Sequence, residues 1–329
     1  MRAPSHLAGG RSIAINDCRW HAYPDDMSAV EVAVSEPAIL GECPVWAPDE
    51  GVLYWEDIDG KAIHRYDPST GSDEQRPLPG RPGSFALTST PGLLLVATEH
   101  EVVWFDWESA TVTPWLALEE AGAGIRMNDG RTDTAGRFWV GSMFEDTKAG
   151  KTVGSLHRID ADGTATVARS GVGTANGLGF DPARQRMYFA DTPTLSVVMW
   201  DYDATTGERT NEREFFDYET VDGKPDGACV DSDGCYWSAS VYGWAVTRIT
   251  PEGVVDRRID LPVAKPSMPA FGGPNLDTLF VTSIGAGGTV PSEPGRDGVA
   301  PGALLAIDLS SEGITGRVET PFAGSPPTA

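Results

Sequence analysis

The sequence predicts an all-β fold, a six-bladed β-propeller with four-stranded antiparallel blades, and three observations predict it. First, one hairpin unit recurs six times: a small or apolar run, an Asp/Pro/Gly turn, and a strand rich in aromatic or branched residues. The copies are PVWAPDEGVLYW, FALTSTPGLLLVAT, NDGRTDTAGRFWV, LGFDPARQRMYFAD, ACVDSDGCYWSAS and AFGGPNLDTLFVTS. Asp early in the turn bonds backbone N–H groups and Gly at its end tolerates φ > 0, so each copy reads as strand, tight turn, strand. Second, the copies start near Glu42, Ser84, Asn128, Asn176, Asp226 and Ser267. Those starts are roughly 41 to 50 residues apart, the period of one propeller blade. Third, a further strand pair with its own turn follows in IHRYDPSTG, LHRIDADG, VMWDYDATTG, VTRITPEG and LLAIDLSSEG. A single blade cannot bury both faces of its sheet, so the blades must pack face to face around an axis.

Taken in order, residues 1–28 lie outside the repeat and lack the continuous apolar region of a signal peptide, so they read as an N-terminal extension. Met27, followed by Ser28 and Ala29, would itself make a plausible start. One propeller domain is expected over 29–320, with 321–329 as a C-terminal tail. Residues 29–34, AVEVAV, alternate as a strand should but precede the first hairpin. In a closed ring such a spare strand completes the last blade and removes an exposed edge. Connections within blades look short except at 144–154, which is polar, and 285–302, whose Gly/Pro content fits no regular element. Both read as ordinary surface excursions or, from their equivalent position in two blades, as the walls of a mouth over a site.

No apolar run approaches the roughly 18 residues a membrane span requires. The formal charge of −23, from 48 acidic against 25 basic residues, argues against nucleic acid as a partner, since phosphates demand Lys/Arg patches. A small molecule is expected instead, with no membrane partner and a monomer or weak homo-oligomer as the assembly. Cys18, Cys43, Cys229 and Cys235 have neither C-x-x-C nor metal-finger spacing. The hairpin turn around Ser232 would set Val230 opposite Cys235, turning Cys229 and Cys235 to opposite faces, so no bridge is expected there. With no secretory signal, a cytoplasmic location follows.

The innermost strand of each blade starts near the axis at one end, so polar residues at equivalent starts converge there. Glu42, Ser84, Asn128, Asn176, Asp226 and Ser267 all carry oxygen. Taken singly, Asn176-Gly177, Asn128-Asp129-Gly130 and Asp226-Gly227 are turn sequences. Their common phase across blades separates them from ordinary turns. Carboxylates and amides gathered on an axis are costly unless paired, and a hard divalent cation pairs them directly. Glu42, Asn176 and Asp226 offer oxygen alone, which suits Ca, Mg or Mn more readily than a thiolate-bound Zn. The five histidines avoid all six starts, and no nucleophile elbow, zinc-protease motif or phosphate loop is present.

The set LGECPVW, RMNDG with GRFWVGSM, ANGLGF, PDGACVD and AFGGPNLDTLFVTS resembles the senescence marker protein / gluconolactonase / luciferin-regenerating family, which includes regucalcin and bacterial sugar lactonases. The likeness covers nearly all of 29–310. It implies a six-bladed propeller that hydrolyses lactones of sugar acids with one divalent ion: Ca, Mg, Mn or Zn, its identity open. The family's metal ligands fall on Glu42, Asn176 and Asp226, and its substrate-contacting Arg and Asn on Arg126 and Asn128. A further substrate-facing acid falls on Asp146, or on Glu145 in the other register. Cys43 stands where Gly or Ser is frequent, and a lysine that some animal members carry before the Asn-Gly pair has no counterpart in 164–170.

The expected function is hydrolysis of an aldonolactone to the open sugar acid, with the ion polarising the carbonyl and Asp226 as candidate general base. Two alternatives remain open. One is a metal-dependent hydrolase of another ester, such as an organophosphate; the other is a non-catalytic calcium-binding propeller.

Overall fold

The computed structural model describes residues 30–288, 290–291 and 293–327, so the extension 1–28 lies outside the described residues. Six four-stranded antiparallel sheets follow one another in the chain. Blade 1 closes on strand β1 (Val30–Val34) only through the last blade; its own strands are β2 (Gly41–Ala47), β3 (Val52–Asp57), β4 (Ala62–Asp67) and β5 (Ser72–Pro77). Blade 2 holds β6 (Ser84–Leu87), β7 (Leu93–Ala97), β8 (Glu101–Asp106) and β9 (Thr111–Ala117). Blade 3 holds β10 (Ile125–Thr132), β11 (Phe138–Phe144), β12 (Gly154–Ile159) and β13 (Ala165–Val172). Blade 4 holds β14 (Ala175–Asp181), β15 (Arg186–Asp191), β16 (Ser196–Asp203) and β17 (Glu208–Asp217). Blade 5 holds β18 (Lys224–Val230), β19 (Tyr236–Val241), β20 (Ala245–Ile249) and β21 (Val255–Asp260). Blade 6 is β22 (Pro266–Gly272), β23 (Thr278–Ser283) and β24 (Leu304–Asp308), completed by β1.

The inner strands β2, β6, β10, β14, β18 and β22 touch in cyclic order and close the ring. Burial falls outward within a blade: β3 is buried throughout, whereas β5 is mostly exposed. Each apolar face therefore buries against the next blade. Val45 and Tyr54 meet Leu94 and Phe105 between blades 1 and 2, and Trp139 meets Leu178 and Phe189 between blades 3 and 4. Fully burying a side chain of this size contributes about 1.5–3 kcal/mol, which is why one blade alone would not hold.

The N-terminal strand does complete the last sheet, with Val30 opposite Ile307 and Val32 opposite Leu305. One detail of register differs from expectation: Val230 faces Tyr236, and Cys229 faces Trp237, because Cys235 belongs to the turn. Cys43, Cys229 and Cys235 are free and buried. At the other terminus, Phe322 lies inside the segment read as a tail, yet it is 1% exposed and packs on Trp104 and Trp115.

A β-bulge recurs at the head of the inner strands. Pairing skips between Glu42 and Val45, Met127 and Gly130, Asn176 and Gly179, Pro225 and Ala228, and Pro266 and Pro269, while the short β6 pairs without a skip. An extra residue on one strand bends it and re-aims the side chains beside it. The local conformation matches: Cys43 has φ 46° and Gly177 φ 63°. Gly227 answers a different need, since a Cβ there would meet the Cβ of Met268 at 2.5 Å.

The closure has a direct test. A chain starting at Ser35 leaves the β24 edge unpaired, and unpaired edges recruit other strands. It should melt at lower temperature and associate with rising concentration in size-exclusion chromatography; unchanged melting and elution would show that β1 contributes nothing to closure.

Candidate functional site

The bulges place Glu42, Asn128, Asp129, Asn176 and Asp226 at equivalent heads of four inner strands. Asn128, Asp129, Asn176 and Asp226 are buried, while Glu42 keeps part of its surface open, as a group lining an opening would. Ser84 and Ser267, expected among the converging oxygens, turn away instead. Ser84 Oγ donates to Gly130 O at 3.0 Å, and Ser267 Oγ donates to Gly41 O, so both fasten one blade to the next. Blade 2 lacks the bulge that would re-aim its serine.

A hydrogen-bonded line links the polar heads. Arg126 Nη1 donates to Asn128 Oδ1 at 2.8 Å; Asn128 Nδ2 donates to Asn176 Oδ1 at 2.9 Å and to Ala175 O at 2.8 Å. Asn176 Nδ2 donates to Thr192 Oγ1, and Thr192 Oγ1 donates to Pro225 O, the residue before Asp226. The line orients both amides, leaving a second lone pair on Asn176 Oδ1. Arg126 uses Nη1 here, and its Nε and Nη2 make no hydrogen bond to the described residues.

The acids form the other half. Burial pushes the Glu42 carboxyl well above the usual range, and the charges of Asp226, Asp129 and Glu56 push it further. Asp226 is raised well above its ordinary value by burial and then by Asp129. Asp129 is pushed up to about 6, chiefly by burial, against hydrogen bonds that favour its charged form. Glu56 is raised by burial, and the positive charge of Arg126 opposes that rise. Asp129 and Glu56 were not expected. The signal for Glu56 lay in the first hairpin, because β3 sets it directly opposite Glu42, where like charges repel. Asp129 sat in view beside Asn128.

Of the two acids considered after β11, Asp146 is exposed and opens a short 3-10 turn without capping it. Glu145 accepts from Arg81 Nη2 at 2.7 Å, and its charge reaches Arg126. Glu145 is exposed as well, and of the two it is the one whose charge acts on Arg126. Arg81 also pairs with Glu99 at 2.9 Å and stands 3.8 Å from Asp59.

The residues fit a divalent cation by their chemistry. Both Glu56 carboxylate oxygens and Asp129 Oδ1 are buried without a hydrogen-bond partner among the described residues. Glu42 and Asp226 add two carboxylates from separate blades, and every donor is oxygen, the set a hard ion takes. Among the described residues no three acidic, His or Cys side chains stand close enough to hold an ion alone, so a site built on Glu42 and Asp226 needs the Asn176 amide oxygen. A separate cavity of about 80 Å³ lies at the opposite ends of the inner strands, lined by Trp46, Arg131, Phe180, Cys229, Phe271 and Glu319. Its own acids, Asp133 and Glu319, are paired with Arg137 and Arg131.

Comparison with known proteins follows the same lines. A family model described as the SMP-30/Gluconolactonase/LRE-like region matches residues 40–285. The chain is 40% identical over 257 residues to a 6-deoxy-6-sulfogluconolactonase of Pseudomonas putida, covering 77% of this chain and 86% of that one. It is 38% identical over 287 residues to a pentonolactonase of Haloferax volcanii, covering 85% and 93%. Among solved structures, the calcium-binding protein regucalcin of Agrobacterium tumefaciens superposes with a TM-score of 0.79 at 27% identity, over 88% of this chain and 96% of that one. With its six blades and a match running across five of them into the sixth, the chain belongs to the SMP-30/gluconolactonase/LRE-like family.

Proposed function

We propose that this protein hydrolyses a sugar lactone, the internal carboxylic ester of a sugar acid, at the axial site. The observation that carries the reading is the convergence of partly open Glu42 and buried Asp226, the charge of one acting on the other, beside an Arg126–Asn128 pair with N–H groups to spare. Relatives named as lactonases support the substrate class, and a relative named as calcium-binding supports the cation. Glu42, Asn176 and Asp226 would hold one divalent ion. When bound, such an ion supplies Lewis-acid polarisation of the ester carbonyl.

The chain's own groups would do the rest. Arg126 Nε and Nη2 are suited to donate to lactone hydroxyls or to an oxygen that gains negative charge, and Asn128 holds that guanidinium in place. Asp226 would accept the proton of the attacking water. Its burial favours proton uptake relative to a solvated carboxylate, which suits a general base. Glu145, held by Arg81, would border the substrate next to Arg126.

Acid release measured over a panel of aldonolactones, before and after chelation, tests the reading. Turnover of at least one lactone that stops with chelator and returns with a divalent ion is expected; no acid from any lactone with metal-loaded protein would refute it. Within the site, Arg126→Ala removes a charged hydrogen-bond donor worth about 1.5–3 kcal/mol, hence roughly a tenfold to hundredfold fall in kcat/KM. Arg126→Ala should retain metal affinity by calorimetry, whereas Asn128→Ala, which removes the donor that orients the Asn176 amide, should weaken it as well as turnover. Impaired metal binding with intact turnover would reverse these assignments.

The acids also give a signed pH dependence. Glu42, Asp129 and Asp226 all have folded pKa values above the unfolded carboxylate value of about 4. The folded chain therefore binds more protons than the unfolded one from that value upward, so metal-free stability falls as pH rises through this window to about 6 for Asp129. A cation needs those groups deprotonated. The rise in melting temperature on adding a divalent ion should be larger near neutral pH than near pH 5; an equal rise at both would count against carboxylate ligands.

A further inference from the structure

At the end of the ring away from Glu42 and Asp226, residues 314–323 cross the axis as a strap. Gly316 N donates to Leu276 O in blade 6, and Ser232 N in blade 5 donates to Thr315 O. Further on, Ala323 N donates to Gly136 O in blade 3, and Phe322 N donates to Leu87 O in blade 2. Ile314 and Phe322 are buried at its two ends. Between them Glu319 pairs with Arg131 Nη1.

Arg131 is itself buried, and its guanidinium joins three blades. From β10 its Nε donates to Leu178 O at 3.2 Å on β14, and its Nη2 donates to Ala228 O at 2.7 Å on β18. Leu178 lies two residues beyond Asn176, inside its bulge, and Ala228 two beyond Asp226, where pairing resumes after its bulge. The Leu178 amide meanwhile donates to Asp129 Oδ2 at 3.0 Å. Blade 3 thus grips Leu178 through both its N–H and its C=O. Backbone carbonyls alone leave a buried guanidinium with its charge uncompensated; the Glu319 carboxylate pairs with it directly, and the charge of Asp129 acts on it from the same strand.

We propose that Arg131 and Glu319 are positioning residues for the axial site: the ion pair fixes the spacing between the inner strands that carry Asn176 and Asp226. The C-terminal strap therefore sets cation affinity from the far end of the ring. It does so although residues 314–323 lie outside the matched family region of 40–285. The inference rests on the metal-site reading given above. Groups that orient metal ligands from behind typically change affinity by about 10- to 100-fold when altered.

Calorimetric titration of the chelated full-length protein with Ca²⁺ and with Mn²⁺ tests this, alongside thermal melting of the metal-free chain. Glu319→Gln should weaken cation binding about tenfold. Arg131→Met should weaken it more, and Arg131→Lys, which keeps the charge, should recover part of the loss. Val103→Ala, in the core between blades 1 and 2, is the control: it should lower melting without changing cation affinity. If Arg131→Met does not fold, Glu319→Gln still decides. Native cation affinity in Glu319→Gln, whatever its melting temperature, would overturn the inference alone, whereas no cation binding by the native protein would remove the metal-site reading as well.

Discussion

The constraint on which this structure turns is the withdrawal of Glu42, Glu56, Asp129 and Asp226 from bulk water into one electrostatic neighbourhood. Each is held where burial opposes its charge, and each neighbour worsens the next. Arg126 offsets part of this at Glu56 and Asp226, and Arg131 does so at Asp129. An isolated ionised carboxylate in such surroundings is strongly unfavourable, so the fold must either keep protons on these groups or bring in positive charge. A stable propeller has no structural need for acids in this position. That imbalance is the physical reason to read the axis as a site.

Ring geometry is what makes the arrangement possible. Six clusters of apolar side chains between successive blades supply the stability that lets the inner strand heads be polar. The bulges bend five of the six strand heads and re-aim the side chains beside them. Four bulged heads carry the acids and amides Glu42, Asn128, Asn176 and Asp226; Ser84, without a bulge, and Ser267, with one, fasten neighbouring blades instead, so side-chain length counts beside the bulge. Cys43, in a left-handed conformation that glycine tolerates better, shows how far the backbone is bent to achieve this.

The fold was legible because its signals are local. Turn residues, aromatic strands and a blade-length period each survive without knowledge of any distant contact, and the alternation in 30–34 foretold the closing strand. Of the candidate site, the sequence made legible the placement at strand heads, as for Asn128, Asn176 and Asp226. Glu56 needed the hairpin register, which a sequence pattern specifies to within a residue at best, as the one-residue difference at Val230 also illustrates. Ser267 needed the side-chain direction, which points to Gly41 O. Phe322 and Glu319 needed contacts with residues far back in the chain, Leu87 and Arg131, and nothing in their local sequence announces them.

Mouth and strap give the two ends of the axis different characters. One end gathers carboxylates with Arg126, Arg81 and Glu145 nearby; the other is crossed by a peptide and backed by a small cavity. The chemistry of the side chains makes the acidic end the side from which a ligand would approach. The central claim is that this end holds a cation through Glu42, Asn176 and Asp226. Elemental analysis of native protein after exhaustive desalting, beside Asp226→Ala purified identically, addresses it most directly. One divalent ion per chain in the native protein and none in the variant is the predicted result; an equal ion content in both, or none in either even after loading, would contradict it.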